Sequence, residues 1–266
     1  CSRALYRLKE YGVKDEKIFL TGFPLPKQLL GSEKLEILLP DVASRLHYLD
    51  PEDRFWPLHG NNVEYFLGKK NIAFKKKRKF TILYAVGGAG ALWEYGLTIA
   101  KSLKKKIISG EVRYAIAPGV RPEINDNFVR GLKDLKIPAN LVPLIHSADT
   151  QEYFEMFTQF LRETDLLWTK PSELVFYAGL GMPLIMTEPV GPQEGYNMKW
   201  CQEIQAGISQ EDPAYTDEWL FDLHKLGRLA ESAWDGFLKA RKFGIFKIEE
   251  VLRTGTMIWE KSPLRR

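Results

Sequence analysis

Apolar residues recur along this chain in two rhythms, with the change near residue 80. Before it the spacing is helical and interrupted. Residues 2–11 predict a short helix, 17–21 (KIFLT) a short strand, and 22–31 (GFPLPKQLLG) a Pro/Gly-rich connection. Residues 33–67 carry apolar positions at helical intervals, and Asp50 is placed to cap a segment beginning at Pro51. This stretch predicts a helical insertion whose apolar face covers the sheet, forms a dimer contact or docks another domain.

After residue 80 the pattern alternates. Strands are predicted at 80–86, 111–117, 139–144, 166–169 and 183–187, separated by helices at 89–104, 121–135, 150–162 and 172–180. Helices continue at 197–206, 217–225 and through most of 229–259. Strands separated by helices need right-handed crossovers, so the expected class is α/β: a Rossmann-like parallel sheet with helices on both faces. Ligands on such sheets sit at the carboxyl ends of the strands.

Composition narrows the class. With 45% hydrophobic and 27% charged residues in 266, the chain can build a large core and is not of the disordered type. A net charge of +4 is too mild to point to nucleic acid, and no nucleic-acid partner is expected. The run Lys75 to Lys79 reads as a solvated linker or as a phosphate or headgroup patch. Cys1 and Cys201 supply neither a disulfide framework nor a zinc set, which sets the expectation of a cytoplasmic protein, with peripheral membrane contact left open. No apolar run approaches the ~20 residues of a spanning helix. No cluster of His, Asp and Glu suggests a metal, and no cofactor is expected beyond a substrate. The chain begins at Cys1 within a helical pattern, so a preceding segment is expected.

The polar residues at the strand ends carry the chemistry. TILYAVGGAG runs a strand into Gly87, Gly88 and Gly90, a turn that either brings a phosphorylated ligand to backbone N–H groups or serves only to reverse the chain tightly. Residues 169–197 read TKPSELVFYAGLGMPLIMTEPVGPQEGYN. In it Thr169 and Lys170 end a strand, where an ammonium offsets phosphate charge. Ser172 and Glu173 either contact a ligand or cap the next helix and answer its dipole. Gln193, Glu194 and Asn197 lie in a predicted polar loop after a buried strand, where Gln and Glu together can grip adjacent sugar hydroxyls; Asn197 alternatively caps a helix. Trp168, Phe176, Tyr177, Tyr196 and Trp200 read mainly as packing residues, Tyr196 being the candidate to stack on a sugar.

The ordered set TGFPLP, glycine turn, VPLIH, DLLWTK, GMP and GPQE resembles the C-terminal donor domain of GT-B-type glycosyltransferases. Monogalactosyldiacylglycerol synthases and the lipid II-forming N-acetylglucosaminyltransferase are the families most similar in pattern, over roughly residues 10–210 without the insertion. The resemblance implies a nucleoside-diphosphate sugar donor and metal-independent inverting transfer. The acceptor, a lipid or a glycan, would be held with the catalytic base on an N-terminal domain that this chain lacks, so the chain alone would bind donor without turnover. It also implies that the backbone at Ile145 and His146, at the VPLIH strand end, pairs with the base; the His146 side chain by itself reads as a surface or core histidine rather than a catalyst. The implied division is 1–31 as the end of that domain and its linker, 32–79 as helical insertion and basic linker, and 80–266 as the nucleotide-sugar domain. One departure stands out. The families carry a ribose-binding glutamate five residues before the glycine of G-x-P, where this chain has Phe176, leaving Glu173 as the candidate replacement. The same architecture also fits a nucleotide-sugar epimerase or a binding module without catalysis.

Overall fold

The computed structural model describes residues 2–73, 78–87 and 90–258, so Cys1, Lys75, Lys76, Lys77 and Gly88 lie outside the described residues. Its centre is one six-stranded sheet, all neighbours parallel, in the order β3-β2-β1-β4-β5-β6. The strands are β1 (Phe80–Ala85), β2 (Val112–Gly119), β3 (Leu144–His146), β4 (Leu166–Thr169), β5 (Leu184–Met186) and β6 (Gly207–Ser209). This is the doubly wound Rossmann-like arrangement, and its strand order reverses between β1 and β4. Every residue of β1, β4 and β5 is buried, as both faces of a helix-covered parallel sheet require.

Local chemistry explains where the elements differ from expectation. The predicted strand at 139–144 is instead a short 3-10 turn, Ala139–Leu141, followed by β3. Pro143 has no N–H to give a ladder, but its carbonyl accepts from Ile116 N at 3.0 Å. KIFLT forms no strand; Asp15–Lys17 is a 3-10 turn and the following residues run over the surface of the fold. The helix expected from residue 89 starts at Trp93 and breaks after Ser102, with a second helix at Lys104–Ser109. Asp50 does cap a helix, but the helix begins at Trp56: its carboxylate accepts from the N–H groups of Arg54, Phe55 and Trp56 at 2.8, 2.9 and 3.1 Å.

Two arginines tie the N-terminal helices to the sheet. Arg45, on helix Leu38–Tyr48, is buried and donates to Thr164 O at 2.8 Å, Leu180 O at 2.6 Å, Gly181 O at 3.3 Å and Leu161 O at 3.4 Å. Those carbonyls stand at the ends of helix Thr150–Leu161 and 3-10 helix Glu173–Leu180, where helical partners run out; Leu161 O also accepts from Thr164 N at 3.2 Å. Arg78 makes a two-pronged pair with the wholly buried Asp165, which also accepts from Thr81 N at 2.8 Å. The guanidinium lies 4.4 Å from the Tyr48 ring centre. Arg78 therefore belongs to the core of the domain rather than to a solvated linker.

Candidate functional site

The carboxyl edge of the sheet is built around β1. Where β1 ends, Gly87 (φ 79°) and Gly90 (φ 71°) bracket a turn closed by Gly90 N donating to Gly87 O at 3.2 Å. Only glycine holds this backbone without strain, and the space beside it is already taken. A Cβ at Gly87 would stand 3.2 Å from Lys170 Cε, and one at Gly90 would stand 3.7 Å from Arg121 Cδ. The turn is thus flanked by one cation on each side. Arg121, half-exposed just after β2, carries no signal in the sequence beyond being a basic residue after a strand.

Lys170 follows β4 across the point where the strand order reverses. Its side chain is 13% exposed and its Nζ lies 2.9 Å from Glu194 Oε1, on a side chain 5% exposed. Thr169, beside it, donates from Oγ1 to Ala85 O at 3.0 Å, so its hydroxyl secures β4 to β1. Gly119 (φ 88°) ends β2 close enough that a Cβ would sit 3.8 Å from Gly87 O. His146 donates from Nδ1 to the Gly119 carbonyl at 2.7 Å. Lys170, Gly87, Gly119 and His146 therefore form a row along the carboxyl edge. Ile145 and His146 occupy its far end, three strand spacings or about 14 Å from β4.

Gln193, Glu194 and Asn197 are not in a loop. They lie on helix Pro192–Glu203, which starts early because Pro192 takes the first helical position, where its missing N–H costs nothing. Glu194 sits third in that helix and reaches back: Oε2 accepts from Val190 N at 2.7 Å and the carboxylate also takes the Gly191 N–H. Burial alone would raise this carboxyl, but the Lys170 hydrogen bond and the two backbone N–H groups outweigh it and hold it below the usual carboxylate range. Asn197 caps nothing; its Nδ2 donates to Ser172 O at 3.3 Å. Gln193 is exposed.

Ser172 precedes the 3-10 helix without capping it, and its buried Oγ has no hydrogen-bond partner among the described residues. Glu173 is exposed at the start of the same helix. Phe176 has a packing role. It stacks on Phe23 of the TGFPLP segment at 5.0 Å and meets Trp200 at 5.2 Å. The three rings form a wall of a cleft of about 460 Å³ that residues 4–24 cover. Tyr196 remains half-exposed, with the Arg7 guanidinium 5.6 Å from its ring centre.

A second polar group, unmarked in the sequence, stands at the ends of β4, β5 and β6. Tyr95 donates to Glu188 Oε1 at 2.7 Å, Gln210 to Glu188 Oε2 at 3.4 Å, and Trp168 Nε1 to Gln210 Oε1 at 2.9 Å. The Glu188 hydrogen bond pushes the Tyr95 phenol above its ordinary value. Its members are far apart in sequence, so only the fold unites them. Among the described residues no group of three or more His, Cys, Asp or Glu could hold a metal ion, and no helix is long and apolar enough to cross a membrane.

No family model and no curated protein matches the chain. Solved structures similar to it include a UDP-N-acetylglucosamine 2-epimerase, described as putative, from Listeria monocytogenes, with TM-score 0.48 and 15% identity over 95% of this chain and 57% of that one. Another is the UDP-GlcNAc 2-epimerase of Neisseria meningitidis bound to UDP-GlcNAc, with TM-score 0.45 and 12% identity over 95% of this chain and 59% of that one. A glycosyltransferase of Streptomyces sp. SF2575 complexed with thymidine diphosphate matches over 66% of this chain and 43% of its own, with TM-score 0.32 and 10% identity. This chain spans less than two thirds of the length of each.

Proposed function

We infer that this chain binds a nucleoside-diphosphate sugar at the carboxyl edge of its sheet, as the donor half of a two-domain transferase. The observation that carries the reading is the Lys170 side chain packed beside Gly87, its Cε 3.2 Å from where a Cβ would stand, at the point where the strand order reverses. A largely desolvated cation beside a glycine turn suits a diphosphate, and Arg121 beside Gly90 adds charge. His146, Thr169, Ser172, Glu173, Gln193 and Asn197 are the further candidates for the base, ribose and sugar. Since Phe176 is committed to its aromatic stack, Glu173 is the carboxylate left to meet ribose hydroxyls. The base for acceptor activation, and the lipid or glycan acceptor itself, belong in this reading to a domain N-terminal to the chain. The ordered motifs shared with monogalactosyldiacylglycerol synthases and the lipid II-forming transferase favour inverting transfer.

Epimerisation of the same class of substrate is the second reading, favoured by the exposed Glu188 carboxylate paired with the Tyr95 phenol. Release of free sugar and nucleotide without acceptor would support it.

A thermal-shift panel of uridine, guanosine, cytidine and thymidine diphosphates and their sugars tests the assignment. One base should stabilise the protein selectively, a ligand at a hundred times its Kd adding about 2.7 kcal/mol. Lys170→Met should weaken that ligand at least tenfold, and Glu173→Ala should abolish the preference for ribose over deoxyribose. Undiminished binding by Lys170→Met would remove the diphosphate from this position.

A further inference from the structure

Glu194 is an unusual neighbour for a phosphate-binding lysine. It neutralises Lys170 directly, and it cannot swing aside freely, because Oε2 is tied to the Val190 N–H and the carboxylate also takes the Gly191 N–H at the start of its own helix. A diphosphate reaching Lys170 thus meets a fixed carboxylate within a few ångströms of the cation. Both side chains are largely out of water, so the repulsion is poorly screened. Ser172 Oγ, two residues from Lys170 and without a partner among the described residues, adds a neutral donor on the same segment, whose backbone Asn197 fixes through Ser172 O. At Lys170 the site therefore offers hydrogen-bond donors with the cation's charge cancelled, and the positive charge that remains is that of Arg121 beside Gly90.

We propose that Glu194 is a built-in counter-anion that sets the charge of the ligand this site accepts, favouring a diphosphate diester over a free diphosphate. This rests on the nucleotide-sugar reading above. A free nucleoside diphosphate has a terminal phosphate that ionises a second time near neutral pH, whereas its sugar ester has none, so the two differ by one negative charge. At about 6 Å and an effective dielectric near 20, one extra charge facing a fixed carboxylate costs about a factor of a hundred in affinity. Glu194 then discriminates against the diphosphate product and in favour of the intact donor. It is a specificity-determining residue, not a catalytic one.

Calorimetric titration of the wild-type chain and of Glu194→Gln with inorganic pyrophosphate, the four nucleoside diphosphates and their sugars tests this. Glutamine keeps the volume and can still take the backbone N–H groups, so the helix start survives. Glu194→Gln should bind every phosphate ligand more tightly than wild type, with a gain for pyrophosphate and free diphosphates about a hundredfold larger than the gain for the sugar esters. Glu194→Gln combined with Lys170→Met removes the pair without leaving a lone buried charge and should show no gain. Equal gains for all ligands, or none, would overturn the charge-setting role while leaving nucleotide-sugar binding intact. Tighter pyrophosphate with no nucleotide or nucleotide sugar bound by either protein would leave no diester to prefer and would sink both the proposal and the nucleotide-sugar reading. No binding of any probe to either protein would sink both.

Discussion

Replacing Arg45 with methionine should lower the free energy of unfolding by about 3–5 kcal/mol, because it strips partners from carbonyls that have no water to turn to. Arg45 serves Leu161, Thr164, Leu180 and Gly181 with one planar fork. Burial lowers its pKa to about 10, which leaves it charged at neutral pH. Methionine fills the hydrocarbon part of the space and relieves the desolvated charge, but it orphans the ends of two helices. Lysine keeps the charge and fails for another reason, since an ammonium cannot span the same oxygens. Urea titration should show the midpoint falling at unchanged slope for Arg45→Met. A loss under 1 kcal/mol would mean that water enters and satisfies those carbonyls.

Lys242→Met should do the opposite and stabilise the protein by about 2–4 kcal/mol at pH 6 to 7. Lys242 is wholly buried beside Phe237, with Nζ 4.8 Å from the ring centre and no hydrogen-bond partner among the described residues. Burial pulls its pKa from 10.5 down to about 7. Between those values the unfolded chain holds a proton that the folded chain has shed, so wild-type stability rises with pH across the interval. The penalty is complete below about pH 7 and gone above 10.5, and the advantage of the methionine variant follows the same course. Unfolding measured from pH 6 to pH 10 should show the two proteins converging. Parallel curves would mean that Nζ reaches water in solution.

Neither residue was legible in the sequence, and the reason is physical. Periodicity identifies which face of an element is apolar, so it recovered β1, β4 and the helices around them, together with the Rossmann-like class. A buried charge contradicts that pattern and is explained only by partners over a hundred residues away, as with Arg45 and Thr164. Short elements were hidden for a related reason: β6 has three residues, Gly207–Ser209, too few to show an alternation. The polar stretch around Gln193 reads as a loop by composition, yet Pro192 starts a helix there. The glycine turn and Lys170 were visible as separate motifs, but Arg121, Gly119 and the Glu188 to Tyr95 group needed the topology to bring them to one edge.

The strand order also governs how the chain can be made. β1 is the first of these six strands to leave the ribosome and ends in the middle of the sheet, with β2 and β3 on one side and β4, β5 and β6 on the other. A nascent chain that has reached residue 160 can pair β1 on one edge only; the other edge, FTILYA, waits for β4 and for the Asp165 carboxylate that receives Arg78 and Thr81. Such a segment, apolar and rich in β-formers, is the kind that recruits other nascent chains. Five consecutive basic residues, Lys75 to Lys79, precede it directly and supply the like-charge repulsion that keeps two such edges apart until the sheet closes.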